Sequence, residues 1–264
     1  MLYFVATPIG NLKDISYRAI ETLNSVDIIA CEDTRKSLIL LNRYNIKKRL
    51  IAYHKNNEFA SSNGIIDLLK QGKNIAVISD SGTPIISDPG NILVQKLIEN
   101  NLEYTIIPGA NAGLSALILS GFNPQHFTFV GFLPEKNKEK TNLLEKLKNS
   151  EQTLIFYVSP YDLQKNIADI YQVFGNRKAC LVNEITKMFE KTLRFELADN
   201  LEITPKGEYV LVVEGAVATE NNLKNYTIDE QIEFYIATGL TKKQALKKVS
   251  KENKIDNIYK ELKN

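Results

Sequence analysis

Between Leu2 and Ile107 five short apolar runs recur, Leu2 to Ala6, Asp27 to Ala30, Leu50 to Tyr53, Ile75 to Ile78 and Tyr104 to Ile107, each followed by a segment of helix length. Short runs without a polar face read as strands covered on both sides, and strands alternating with helices imply a parallel α/β sheet with right-handed crossovers. Every run ends in polar or turn-forming residues: Thr7-Pro8-Ile9-Gly10-Asn11, Glu32-Asp33-Thr34-Arg35, His54-Lys55-Asn56-Asn57-Glu58, Ser79-Asp80-Ser81-Gly82-Thr83-Pro84 and Pro108-Gly109-Ala110-Asn111. Parallel strands present their C-terminal ends on one edge, so these loops should converge on one rim, where open α/β sheets bind ligands. The richest is Ser79 to Gly90. Its glycines let backbone approach a ligand, Pro84 and Pro89 stiffen the turns, and Asp80 and Asp88 supply acceptors.

A second group of strands follows: Phe127 to Val130, Leu154 to Val158, Ala179 to Asn183, Lys191 to Glu196 and Glu208 to Val213. Helical pattern appears between them only near 140 to 149 and 161 to 174, which predicts a mixed sheet with hairpin pairing. Gly, Asn and Pro cluster at Gly121 to Gln125, so the domains read as 1–120 and 121–222, with a helical unit over 223–264. In that unit Ile228, Ile232 and Ile236 recur every fourth position, Gly239 can cap, Thr241 and Gln244 form a capping box, and Ile255, Ile258, Tyr259 and Leu262 predict a last helix. The arrangement fits a helix-turn-helix unit or a small helical cap.

Composition narrows the chemistry. Only Cys31, Cys180, His54 and His126 are present, without CxxC spacing, which argues against a disulfide framework or a metal centre. No apolar run approaches the ~18 residues that span a bilayer, and no signal peptide is apparent, so a cytoplasmic protein is expected. Net charge is +2, yet Leu240 to Asn264 holds eight Lys against three acids, a basic tail of +5 that leaves −3 for the rest. Such a tail is a candidate polyanion contact; the Lys-rich run Glu135 to Lys148 reads as a solvated helix. The first turn, TPIGNLKD, lacks GxGxxG, and the chain has neither a phosphate-binding GxxxxGK nor a GxSxG elbow, disfavouring dinucleotide, triphosphatase and serine-hydrolase chemistry. The rim offers backbone donors beside Gly10, Gly82 and Gly109 and carboxylates at Glu32, Asp33, Asp80 and Asp88, a set suited to a ligand with ribose hydroxyls and an amino-acid moiety.

The ordered series TPIGNLKDIS (7–16), CEDTR (31–35), YHKNNE (53–58), SDSGTPIISDPG (79–90), GFLP (131–134), LIFYVSP (154–160) and KGEYVLVVEG (206–215) resembles the ribosomal RNA small subunit methyltransferase I family, ribose 2′-O-methyltransferases of the tetrapyrrole methylase superfamily. The resemblance runs nearly end to end. It implies a two-domain α/β tetrapyrrole-methylase-like architecture with a small helix-turn-helix domain, S-adenosylmethionine in the cleft between the lobes, a cytidine ribose of 16S ribosomal RNA in the small subunit as acceptor, and a homodimer. Cofactor-lining positions carried over from the superfamily are Pro8, Asp80, Ser81, Gly82, Thr83, Ile86, Ser87, Asn111 and Ala112, with Phe156, Tyr157, Asn183, Glu184, Ile185, Tyr209, Val210 and Leu211 from the second lobe. Two departures stand out: Ala110-Asn111 follows Pro108-Gly109 where the family commonly has Pro and a small residue, and His54-Lys55-Asn56-Asn57-Glu58 replaces HxHNE.

A sulfonium methyl is already activated, so the protein must mainly align the 2′-oxygen with it. A proton acceptor would help, and Glu32, Asp33 and His54 are the titratable rim residues that suit the role. Arg35, Lys55, Lys242, Lys243, Lys247 and Lys248 are the expected phosphate contacts. Two other readings stay open: methylation of a tetrapyrrole, which the basic tail disfavours, and a non-catalytic RNA-binding assembly factor, which would need no cofactor.

Overall fold

A computed structural model describes residues 1–201, 203, 206–217, 223, 226–253 and 255. Five of its strands, β1 (Leu2–Val5), β2 (Ile28–Cys31), β3 (Arg49–Ala52), β4 (Ile75–Ile78) and β5 (Tyr104–Ile107), form an entirely parallel sheet in the order β3-β2-β4-β1-β5. The helices between them are α1 (Tyr17–Ser25), α2 (Thr34–Arg43), α3 (Glu58–Lys70) and α4 (Asn91–Glu99). All four residues of β2 and of β4 are buried, as apolar runs with no polar face require. Alternate side chains then divide between two cores. Leu2, Phe4, Ile75 and Val77 pack with Ile65, Ile66 and Leu69 of α3 and with Leu93 and Leu97 of α4. Val5, Ala76 and Ile78 pack on the other face with Ala19 and Leu23 of α1 and Leu41 of α2.

Two strands are shifted by one residue from the sequence reading. Asp27 lies before β2, where its carboxylate accepts the Asn74 backbone N–H at 2.8 Å; Tyr53 follows β3 and is buried, with its backbone N–H bonded to the Cys31 carbonyl at 2.8 Å.

The second sheet is mixed, as expected. Its strands β6 (Phe127–Phe132), β7 (Thr153–Val158), β8 (Lys178–Asn183), β9 (Lys191–Glu196) and β10 (Tyr209–Val213) run in the order β6-β7-β10-β8-β9, with β6 and β7 parallel and the remaining pairs antiparallel. One face packs on α6 (Asn137–Leu147) and α7 (Leu163–Phe174) through Leu144, Leu163, Ile167, Ile170 and Phe174. The other face receives α5 (Ala112–Ser120), the helix that follows β5 of the first sheet: Ala116 and Leu117 join Ile155, Cys180, Val182, Val210 and Val212 in one core, together with Ile9. Asn111 caps the start of α5, its Oδ1 accepting the Leu114 N–H at 3.0 Å, and Gly121 ends it in the left-handed region at φ 76°. Arg194 of β9 donates to the Ser120 and Leu119 carbonyls at 3.2 and 2.6 Å, satisfying acceptors at its C-terminal end.

Helices α8 (Ile228–Ala237) and α9 (Lys242–Asn253) share a small core of Leu223, Ile232, Tyr235, Ala245, Leu246 and Val249. The Thr241 capping box is present: Thr241 N–H donates to Gln244 Oε1 at 2.9 Å and Gln244 N–H to Thr241 Oγ1 at 3.4 Å. A second box, Thr227 with Glu230, opens α8. The last helix expected through Ile258, Tyr259 and Leu262 lies outside the described residues. Among those residues no helix is long and apolar enough to cross a membrane.

Leu93 is fully buried between α4 and the first sheet. Leu93→Ala should therefore lower stability by about 3 kcal/mol through lost apolar contact and a residual cavity, read as a shifted midpoint in urea unfolding; a loss under about 1 kcal/mol would mean that this core relaxes freely.

Candidate active site

The rim forms through backbone pairing between loops distant in sequence. Thr7 N–H donates to the Gly82 carbonyl at 2.9 Å and Gly82 N–H to the Thr7 carbonyl at 3.1 Å, stitching the loop after β1 to the loop after β4. Thr83 Oγ1 donates to the Ala110 carbonyl at 3.1 Å, adding the loop after β5. Small residues are needed where these loops meet: a Cβ on Gly109 would lie 2.9 Å from Ala6 Cβ, and one on Gly82, at φ +82°, would lie 3.0 Å from Ile9 Cγ2. A Cβ on Gly10 would meet Lys187 Cγ at 2.7 Å, so the first loop also lies against the turn after β8. The convergence expected for Gly10, Asp80 and Gly109 is thus present.

Between this rim and the second sheet lies a cavity of about 380 Å³. The loop after β4 lines it with Ser81, Gly82, Thr83, Ile86, Ser87 and Asp88; Asn111 and Ala112 contribute from the start of α5, and Tyr157, Tyr209 and Val210 from the second sheet. Not every expected cofactor position reaches it. Phe156 and Leu211 are fully buried in the core on the α6/α7 side, because adjacent strand residues point to opposite faces and Tyr157 and Val210 take the cavity side. Pro8, Asp80, Asn183, Glu184 and Ile185 lie outside the lining: Asp80 accepts from the Asp33 backbone N–H at 3.1 Å and pairs with Lys36 at 2.8 Å, Glu184 pairs with Lys187 at 3.0 Å, and Ile185 packs with Ile9. Asn183 Oδ1 is buried with no hydrogen-bond partner. Lining residues not foreseen are Ile9, Phe132, Val158, Ser159, Pro160 and Glu208. Alternation from Tyr157 and the turn formers Ser159-Pro160 were the available signals for part of this set.

The expected proton acceptors differ in surroundings. Asp33 caps α2 and binds the Arg35 side chain through both oxygens, at 3.1 and 2.9 Å, which with the Arg35 backbone N–H holds its carboxyl down at about 2. His54 sits after the edge strand β3, its backbone N–H bound to Asn57 Oδ1 at 2.8 Å, and does not line the cavity. Glu32 lines a smaller hollow that it shares with Asp88. Asp88, which reaches both hollows, is pushed up to about 6 by burial first and then by the charges of Glu32 and Asp80. Burial also raises the Tyr157 phenol, whose oxygen accepts the Gly113 N–H at 3.3 Å.

The residue set fits an S-adenosylmethionine-like ligand: apolar walls from Ile9, Ile86, Phe132 and Val210 suit a base, hydroxyls of Ser81, Thr83, Ser87 and Ser159 suit a ribose or carboxylate, and Glu208 suits hydroxyls or an ammonium. Gly82 lines that space with backbone alone. Among the described residues no group of three or more His, Cys, Asp or Glu could hold a metal ion.

Residues 1–200 match the model of the tetrapyrrole (corrin/porphyrin) methylases. The chain belongs to the tetrapyrrole methylase family. Its relatives sharpen the placement: a Bacillus subtilis protein named ribosomal RNA small subunit methyltransferase I is 41% identical, covering 97% of this chain and 90% of the relative. A Haemophilus influenzae protein of the same name is 45% identical, over 84% and 81% of the two chains. Solved structures of the methyltransferase CobJ (TM-score 0.64, 16% identity, 81% and 94% covered) and of diphthine synthase (TM-score 0.64, 15% identity, 81% and 90% covered) share the fold. This methylase is therefore an enzyme that takes its methyl group from S-adenosylmethionine.

Gly82→Ala in the methylase should weaken S-adenosylmethionine binding by about tenfold or more, since φ +82° costs a non-glycine residue ~1 kcal/mol or more and the added carbon presses on Ile9. Calorimetric titration checks this; affinity equal to wild type would show that the loop gives way freely.

Proposed function

We propose that this methylase transfers the methyl of S-adenosylmethionine to the 2′-hydroxyl of a cytidine in 16S ribosomal RNA of the small subunit. The observation that carries the reading is similarity across 97% of the chain to a protein named for that RNA, joined to a cavity built from the strand-end loops of both sheets. When bound, the cofactor supplies a sulfonium methyl that needs no further activation. The chain's own work is alignment and water exclusion. Thr7 and Gly82 fix the floor by backbone pairing and Thr83 by its hydroxyl on the Ala110 carbonyl, Phe132 and Tyr157, whose ring centroids lie 5.5 Å apart edge-on, form an aromatic wall, and Glu208, itself held by Lys187 at 3.1 Å, offers an acceptor. The cofactor positions carried over from the family, including Pro8, Asn183 and Ile185 outside the lining, remain part of the proposal.

For the RNA, α9 presents exposed Lys242 at its start and exposed Lys243 and Lys247 away from its buried Ala245, Leu246 and Val249. Lys248 is half-buried, with Nζ 4.2 Å from the Tyr235 ring centroid, which makes it the least suited of the four. At the rim, Lys55 is exposed, and Arg35 is exposed but shares its charge with Asp33. These groups would meet phosphates, whose charge density makes such binding strong and salt-sensitive. The family resemblance extends the proposal to a cytoplasmic homodimer, and exposed Leu114 and Ile118 on α5 leave apolar surface available for a second copy. Sedimentation velocity finding only monomer at micromolar concentration would remove that part.

Incubation with labelled S-adenosylmethionine and small subunits lacking the modification should label 16S RNA at one cytidine ribose, located by reverse-transcription stops at low nucleotide concentration. Absence of transfer despite cofactor binding would point to another acceptor, and absence of both to a non-catalytic role. Replacing Lys242, Lys243 and Lys247 with Ala should weaken RNA binding at low salt and reduce the slope of log affinity against log salt by about 2 to 3, with cofactor affinity unchanged; equal loss of both would mark α9 as structural.

A further inference from the structure

Ribose methylation requires the 2′-hydroxyl to lose a proton as it attacks, and the loop from Pro84 to Gly90 is shaped around one carboxylate suited to receive it. Most carboxylates on the rim are engaged. Asp33 is bound to Arg35, Asp80 to Lys36, Glu184 and Glu208 to Lys187, and Glu58 Oε1 accepts the Gly90 and Ile92 N–H groups at 2.8 and 3.2 Å. Asp88 and Glu32 are the exceptions: neither side chain has a hydrogen bond or ion pair among the described residues.

Asp88 occupies a partition. On one side it faces the 380 Å³ cavity; on the other it shares a small hollow with Glu32, Tyr53, Ser79 and Ile85. Its backbone is held by strain that only a well-supported loop tolerates, with Ile85 at φ 75° and Ser87 at φ 70° before it and Gly90 at φ 146° after it. Positive φ at a β-branched isoleucine is rare, and here the Asp88 N–H donates to the Ile85 carbonyl at 3.3 Å while Glu58 anchors the far end of the loop. The charged and titratable groups around Asp88 are Glu32 at the end of β2, Asp80 at the end of β4 with its Lys36 partner, and the Tyr157 phenol of β7.

We propose that Asp88, set between the cavity and the small hollow, is the proton acceptor of the methyl transfer and that Glu32, which shares that hollow with it, is a positioning residue acting through Asp88. This rests on the ribose-methylation reading. In the step, the 2′-oxygen forms its bond to the methyl carbon, the carbon–sulfur bond breaks with its electron pair passing to sulfur, and the hydroxyl proton moves to an Asp88 oxygen. The neutral thioether and protonated Asp88 balance the lost sulfonium and carboxylate charges.

A carboxylate raised to about 6 accepts a proton only above that pH, so the wild-type single-turnover rate on small subunits should fall on the acid side with a midpoint near 6. Asp88→Asn should slow transfer at least 10²-fold, the lower end for a lost general base, and abolish that acid limb, while calorimetric affinity for S-adenosylmethionine stays within about threefold. Glu32→Gln should move the limb to lower pH, since removing the neighbouring negative charge lets Asp88 ionise more readily; a structural role for Glu32 would leave the midpoint in place. Folding is monitored in parallel: burial disfavours the ionised form of Asp88, so Asp88→Asn should melt no lower than wild type at pH 7.5. Asp88→Asn with wild-type rate and pH profile overturns the proposal, as does loss of cofactor affinity matching the loss of rate. Wild-type protein that binds the cofactor but methylates no RNA overturns the underlying reading instead.

Discussion

The whole site depends on helix α5 being apolar on the side it turns to the second sheet. By chain order it is the crossover that follows β5, yet Ala116 and Leu117 are buried against Ile155, Cys180, Val182 and Val212. Burial of such side chains stabilises by about 25 cal/mol per Å² removed from water, and the gain is available only if α5, tethered to the end of β5, lies on the second sheet. The N-terminal end of α5, set by the Asn111 cap, therefore lies at the edge of the cavity, and Tyr157 from the second lobe reaches the Gly113 N–H. Fold and site share one packing event.

Around that packing the electrostatics are sorted by neighbourhood. Asp33, gripped by Arg35, is an acid of ordinary strength made stronger; Asp88, half-buried among like charges, is made weaker. The two differ in surroundings, since both are aspartates on adjacent loops of the same rim. Cavity-lining Glu208 pairs with Lys187, and that lysine, reaching also to Glu184, ties the turn after β8 to the approach to β10.

Much of this was legible in the sequence because the parallel strands are punctuated so plainly. Apolar runs ending in Gly, Pro, Ser and Asp disclosed the first sheet, its rim and the loops that line the cavity, and Thr241 with Gln244 disclosed a helix start. What escaped notice has physical reasons. Adjacent positions such as Phe156 and Tyr157 were taken together although a strand sends them to opposite faces, one into the α6/α7 core and one to the cavity. Residues approaching from the other lobe, Phe132 and Glu208, belong to the site through tertiary packing that no local pattern encodes. Asp88 was visible as an acceptor, but its lack of a partner depends on where Lys36 and Arg35 point, which is a property of the folded rim.

Arg194 draws the most distant part of the second sheet into the same assembly. Its guanidinium, projecting from edge strand β9, bridges to the carbonyls at the end of α5, whose opposite end borders the cavity. A nine-residue helix is about 13 Å long, so α5 spans the distance between the outer hairpin and the edge of the cavity. Loss of that guanidinium would strip the Leu119 and Ser120 carbonyls of the donor that the outer strand supplies.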